Sequence, residues 1–349
     1  MTPDQRRRFR LDRLFRSSRG RNVALAGILG LGGAHAGGLL TDEGPAAEPP
    51  QPEYEDPVAE AVAETMVTRL AGRGWDLPNL EHERVDFWVD RFTNDEKMRA
   101  RFEGFLVRSG QYVPMLSVKL AERDMPHDLV FLAMIESGFQ PAAYSHAHAS
   151  GLWQFIEETG ERYGLRVDET VDERNHPAKA TDAALDYLTD LYDRFDSWYL
   201  AAAAYNTGEN RVGRIMREET GSERAASEAD YYRIWDRLPR ETRDYVPLMI
   251  AAARIAKDPA TYGFDHVVPM EPLDIREVEV RPGTTFEEIA TRLDIEVDEL
   301  RAMNPHLPED RTPADTEYTV VVPGSEAGRL AASDLATPEA EATPTVVAD

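Results

Sequence analysis

Apolar residues return every three or four positions along most of this chain. Val58, Val62, Met66 and Leu70 recur four apart; Val85, Trp88 and Phe92 keep that spacing, as do Met115, Val118 and Ala121, then Leu129, Leu132 and Ile135. Such a period puts one apolar stripe on each of a series of helices. No alternating run of useful length breaks it between Val58 and Lys257, so this stretch is expected to be mainly α. The texture changes after Pro259. Ile275–Val280 alternates as a strand does and is followed by a turn at Pro282-Gly283. Phe286, Ile289, Ala290 and Leu293 then share one helix face; Val297, Leu300 and Met303 share a second, which stops at Asn304-Pro305. Tyr318–Pro323 closes the unit as another strand, giving a small β-α-α-β domain over 275–324.

Composition marks off the remaining segments. Residues 37–57 are rich in Pro and Glu and read as a solvated linker; 58–125 read as a helical N-terminal extension and 126–257 as the main helical domain. Ser325 to Asp349 is rich in Ala, Glu, Thr and Pro and is expected to be a disordered tail. With a net charge of −25 the chain lacks the basic surface that nucleic-acid binding needs. It has no cysteine, which excludes disulfides, thiolate metal sites, a cysteine nucleophile and lipidation at an N-terminal cysteine. Residues 1–36 run against the overall charge, with eight arginines against Asp4 and Asp12. This basic stretch, the apolar Val23–Leu31 and the small-residue site Ala34-His35-Ala36 form an export signal, cleaved or kept as an anchor; an unrelated basic arm is the plainer alternative.

Chemistry is concentrated around one carboxylate. Glu136 stands alone in the apolar run Leu129–Phe139, and glutamate is seldom fully buried unless paired. Burial disfavours its charged form and raises its pKa. The run reads as a helix ending at Gly138, which sets Glu136 at the negative end of the helix dipole and again favours the protonated form. A neutral carboxylic acid near pH 7 suits a general acid for a glycosidic oxygen. A buried glutamate satisfied by a structural partner fits this run equally well.

Each later group also has an ordinary reading. Ser145–Ser150 leads through Gly151 into Leu152-Trp153-Gln154-Phe155, small residues that let a loop approach a groove closely. Gln154 can donate and accept hydrogen bonds to sugar hydroxyl and acetamide groups, or sit on the surface. His146 and His148 lack an evident third ligand and fit an exposed loop better than a metal site. The alanine-rich Trp198–Gly208 would present Tyr205-Asn206 at a helix end, where Asn206 or Gly208 is otherwise a simple cap. Leu238–Pro247 opens a helix with Glu241 in its first turn, which the helix dipole alone would explain.

In this order and spacing, Glu136–Phe139, Ser145–Phe155, Ala204–Gly208 and Leu238–Val246 resemble the catalytic domain of lytic murein transglycosylases, goose-type-lysozyme-like enzymes of glycoside hydrolase family 23. Val85–Glu136, with Arg108–Met115 and Pro126–Ser137, looks most like the D-type branch. The β-α-α-β unit resembles a LysM module at Pro282-Gly283-Thr284 and Asn304-Pro305. The resemblance implies a lysozyme-like fold and cleavage of the MurNAc–GlcNAc bond of peptidoglycan with closure of a 1,6-anhydro ring. It gives Glu136 the acid/base role, has Ser145, Gln154, Tyr205 and Asn206 bind or orient the sugar, and lines the same groove with Glu241 and Tyr245. No metal or organic cofactor is implied. The implied partner is the glycan strand of the cell wall, met by an exported, monomeric protein of the periplasm or cell envelope with a membrane tether if the N-terminus is kept. Two departures stand out: Glu157 replaces the usual proline after the Trp-Gln-Phe run, and Gly283-Thr284-Thr285-Phe286 replaces the module's usual Gly-Asp-Thr-Leu. A hydrolytic muramidase of the same fold and a non-catalytic wall-binding scaffold are the competing readings.

Overall fold

The computed structural model describes residues 74–337 and the backbone of Thr343–Pro344. The export signal, the Pro/Glu linker and the Val58–Leu70 stripe lie outside the described residues. Among those described, no helix is long and apolar enough to cross a membrane.

Two helices in contact with each other open the described chain. The first, α1 (Glu83–Asn94), buries Val85, Trp88 and Phe92, the stripe the sequence predicts. The second, α2 (Glu96–Ala121), starts at Asp95, whose side chain accepts the Met98 N–H at 3.0 Å and so satisfies one of the open donors of the first turn. A short 3₁₀ turn, His127–Leu129, leads into α3 (Val130–Ser137), in which every residue is buried. After a loop come α4 (Glu157–Arg162), α5 (Pro177–Phe195), α6 (Trp198–Thr207), α7 (Glu209–Thr220), α8 (Asp230–Arg233) and α9 (Arg240–Lys257). Ala201 to Ala204 are fully buried, and their small side chains let α6 run close to both α5 and α9. Residues of α1 and α2 share one apolar core with those of α3 and of α5 to α9, so the helices before residue 126 are part of the same body. Glu157 takes the first helical position of α4, where the open N–H groups and the helix dipole favour an acidic side chain.

Residues 258–274 return along α2 before the second domain begins. Phe264 packs against Phe102 with ring centroids 5.5 Å apart, and the Met270 N–H donates to Val107 O at 2.8 Å. Gly110 is required at this crossing, because a Cβ there would collide with the Met270 carbonyl.

The second domain is built on β1 (Ile275–Val280) and β2 (Tyr318–Pro323), antiparallel with Ile275 opposite Pro323 and Val280 opposite Tyr318. Between them lie α10 (Phe286–Leu293) and α11 (Val297–Met303). The departure at Thr284-Thr285 leaves helix entry intact. Thr285 caps α10 in a reciprocal box with Glu288, whose carboxylate accepts the Thr285 N–H at 2.8 Å.

The expected tail beginning at Ser325 is corrected by the structure. Gly324–Ala331 forms a further helix, α12, which buries Ala327 and Leu330 against the sheet, and Leu335 and Ala336 are buried after it. Thr343–Pro344 adds a short third strand, β3, on the free edge of β1. Two strands and two helices leave one sheet face uncovered, and the few leucines inside the Ala/Glu-rich stretch cover it.

Candidate active site

The helix carrying Glu136 ends as its sequence predicts. Gly138 takes up the left-handed conformation (φ 59°, ψ 34°), and the Arg108 guanidinium donates to its carbonyl at 2.7 Å. Ser137 Oγ donates to Leu152 O at 2.9 Å, which fastens the following loop over the helix end.

Glu136 itself is 5% exposed. Tyr245, arriving from α9, donates its hydroxyl to Glu136 Oε1 at 2.5 Å. Burial pushes the carboxyl up to about 8, against the smaller opposing pull of the Tyr245 hydrogen bond. Burial thus favours the protonated form of this carboxyl, whose hydrogen-bond partner is Tyr245. Tyr205, from α6, feels the Glu136 charge; its phenol is raised well above the ordinary value by burial first and by Glu136 second. The Tyr205 hydroxyl donates to Trp153 O at 2.7 Å, and the Trp153 indole donates to Thr181 Oγ1 at 2.9 Å. Glu136, Tyr205 and Tyr245 thus meet although they come from three separate helices.

Of the remaining predicted residues, Gln154, Ser145 and Asn206 make hydrogen bonds within the protein. Gln154 has a left-handed backbone (φ 48°), and its amide nitrogen donates to Ala143 O at 3.1 Å and Gly151 O at 2.9 Å. Ser145 Oγ accepts the Ala149 N–H at 3.0 Å, closing the same loop. Asn206 Oδ1 accepts from Thr242 Oγ1 at 2.7 Å, while its Nδ2 is buried without a partner. Glu241 is half-buried in the first turn of α9; burial raises its pKa and Arg211 opposes that. His148 Nδ1 and the Tyr144 hydroxyl lie 2.6 Å apart on the exposed part of the loop.

Two residues enter that the sequence did not single out. Thr242 holds Asn206, and its place inside the Leu238–Val246 group could have signalled it. Arg174 backs the 145–155 loop. Its Nη1 donates to His148 O at 3.0 Å and Phe155 O at 3.3 Å, and its own carbonyl occupies the space where a Cβ on Gly151 would fall. Nothing local to Arg174 announces this, because the contact is made only when distant segments fold together.

Residues 116–227 match the Transglycosylase SLT domain family, and residues 274–338 match the LysM-like domain of lytic transglycosylase MltD. The chain is 31% identical over 265 residues to membrane-bound lytic murein transglycosylase D of Escherichia coli (strain K12), a match covering 74% of this chain and 58% of that protein. It is 36% identical over 125 residues to peptidoglycan transglycosylase gp16 of Escherichia phage T7, covering 35% of this chain and 9% of that one. Among solved structures, the 70 kDa soluble lytic transglycosylase SLT70 of Escherichia coli aligns over 59% of this chain and 37% of its own, with 18% identity and a TM-score of 0.37.

The two family matches show that the chain carries an SLT transglycosylase domain followed by a LysM-like domain. More closely, it is a homologue of membrane-bound lytic murein transglycosylase D, of which it spans 58%.

Proposed function

We propose that this protein is a peptidoglycan lytic transglycosylase in which Glu136 acts first as acid and then as base. The observation that carries the reading is the buried carboxyl of Glu136 at the end of α3, its pKa pushed up to about 8 by burial and its Oε1 touched by the Tyr245 hydroxyl. The protonated carboxyl gives its proton to the oxygen joining MurNAc to GlcNAc as the bond to C1 of MurNAc breaks. The carboxylate left behind is stabilised by the Tyr245 hydroxyl, then takes the proton of the muramyl 6-hydroxyl as that oxygen closes onto C1. The proton returns to Glu136 and the products are an anhydro end and a free GlcNAc 4-hydroxyl. Water is not consumed, so the second carboxylate that hydrolytic glycosidases need has no task. Ser145, Gln154, Tyr205, Asn206 and Glu241 are assigned to the groove, with Asn206 held through its Oδ1 by the Thr242 hydroxyl. The arginine-rich N-terminus suits export to the cell envelope and, if kept, a membrane tether for a monomer working on wall strands.

Mass spectrometry of muropeptides released from purified wall is the direct test. Anhydro-muramyl ends are expected, and reducing muramic acid ends in their place would make the protein a hydrolase. The pH profile supplies a second check. Activity should fall as pH rises through about 8, where Glu136 loses its proton. Tyr245→Phe removes the bond that lowers this pKa, so the alkaline limb should move upward by about one unit, because a hydrogen bond to a charged group contributes about 1.5 kcal/mol or more. A limb that stays in place would remove Tyr245 from the proposed charge balance.

A further inference from the structure

The segment Val171–Lys179 is gripped from two sides. On one side it meets the second domain. Val171 is fully buried within that domain's apolar core, and the Asp172 N–H donates to His306 O at 2.9 Å. Tyr318 of β2 donates its hydroxyl to Glu173 Oε1 at 2.6 Å, and Lys179 reaches the same oxygen at 2.6 Å with its ammonium 4.6 Å from the Tyr318 ring centroid. The His176 and His306 rings lie 4.4 Å apart, and His176 Nε2 is 3.5 Å from Glu277 of β1. Burial depresses both imidazoles, His306 to about 3, so near neutral pH the pair packs as uncharged rings.

On its other side the segment backs the loop beside Glu136. Arg174 holds the His148 and Phe155 carbonyls and is itself fixed by Asp172, with Nε to Oδ1 at 2.8 Å and Nη2 to Oδ2 at 2.7 Å. Asn175 Oδ1 accepts from Ser150 Oγ at 2.7 Å, and a Cβ on Gly151 would collide with the Arg174 carbonyl. Asp172 therefore bonds the second domain through its backbone and the loop's anchor through its side chain.

We propose that the LysM-like domain is a docked brace that sets the geometry of the 145–155 loop through Val171–Lys179, with Arg174 as the positioning residue, and not an arm that swings free to gather substrate. The consequence for catalysis rests on the transglycosylase reading above; the mechanical link does not. A loop carrying Gln154 and the Trp153 carbonyl that holds Tyr205 sits where small displacements alter the reaction more than they alter glycan binding.

The test uses the full chain with Tyr318→Phe and His306→Asp together, both changes lying in the second domain. Backbone hydrogen exchange is followed by mass spectrometry alongside kcat and KM on glycan strands. Exchange should rise at 171–176 and also at 145–155, while kcat falls roughly tenfold with KM nearly unchanged. Arg174→Lys, made from the catalytic side, should loosen 145–155 while leaving 171–173 and the second domain protected. Unchanged exchange at 145–155 together with unchanged kcat overturns the proposal, whether the seam merely opens or the second domain unfolds with it. A seam that stays closed in the double variant overturns it too, since these contacts would then not hold the domain. If no anhydro product forms even in the wild type, the enzymatic reading fails while the exchange measurements still decide the link.

Discussion

Glu136→Gln is expected to reduce release of anhydro-muropeptides by roughly a thousandfold, within the range that a general acid contributes. The substitution keeps the shape, and the amide oxygen still accepts the Tyr245 hydroxyl, so the fold should survive. Stability should change in a direction that depends on pH. The wild-type carboxyl has a folded pKa of about 8, above its ordinary value of 4.5. The unfolded chain thus releases this proton first, and the wild-type loses stability as pH rises from that ordinary value through about 8. The neutral glutamine has no such slope. Thermal denaturation at pH 5 and pH 9 should show the variant gaining on the wild type at the higher pH. Undiminished wall lysis by a folded Glu136→Gln protein would end the assignment of the acid/base role to Glu136.

Asp128→Ala should cost about 3 to 5 kcal/mol of stability, because it strands a buried ammonium. Lys257, the last residue of α9, lies 2.5 Å from Asp128, and the two side chains are 8% and 5% exposed. Asp128 also accepts the N–H groups of Asp76 and Leu77, each at 3.1 Å, and Lys257 donates to Gly74 O at 3.0 Å. One carboxylate therefore joins the entry to α3, the end of α9 and the segment before α1. Asp128→Asn retains acceptors for the two N–H groups and should lose less. Urea denaturation measures both, and a loss below about 1 kcal/mol for the alanine variant would show the pair to be incidental.

What the sequence foretold and what it concealed divide along the range of the interactions. The α stripes of Val85–Phe92 and Leu129–Ile135 and the strand of Ile275–Val280 depend on period alone, and each forms where it is expected. Glu136 was legible because a carboxylate among apolar residues has few explanations. Its partner was harder, since Tyr245 lies in another helix and both the catalytic and structural readings of Glu136 require such a contact. The inward turn of Gln154 was hidden in a left-handed backbone angle that no residue type signalled. Composition misled at the C-terminal end, where abundant Ala and Glu obscured Leu330 and Leu335, yet those leucines close the second core. Arg174 could not be found locally, as its function is to hold carbonyls brought near only by tertiary folding.

The crossing of Met270 over Gly110 bears on how such a chain could be recombined. Residues 258–274 resemble a natural joint for exchanging one C-terminal domain for another. Cutting there would strip Phe264 and Met270 from their places on α2, and it would leave Val171 projecting without the apolar core that now encloses it. A transplanted domain would have to bring its own pocket for Val171 and its own acceptor for the Asp172 N–H. The seam thus makes the C-terminal domain a poor candidate for simple exchange, because each half supplies contacts that the other needs.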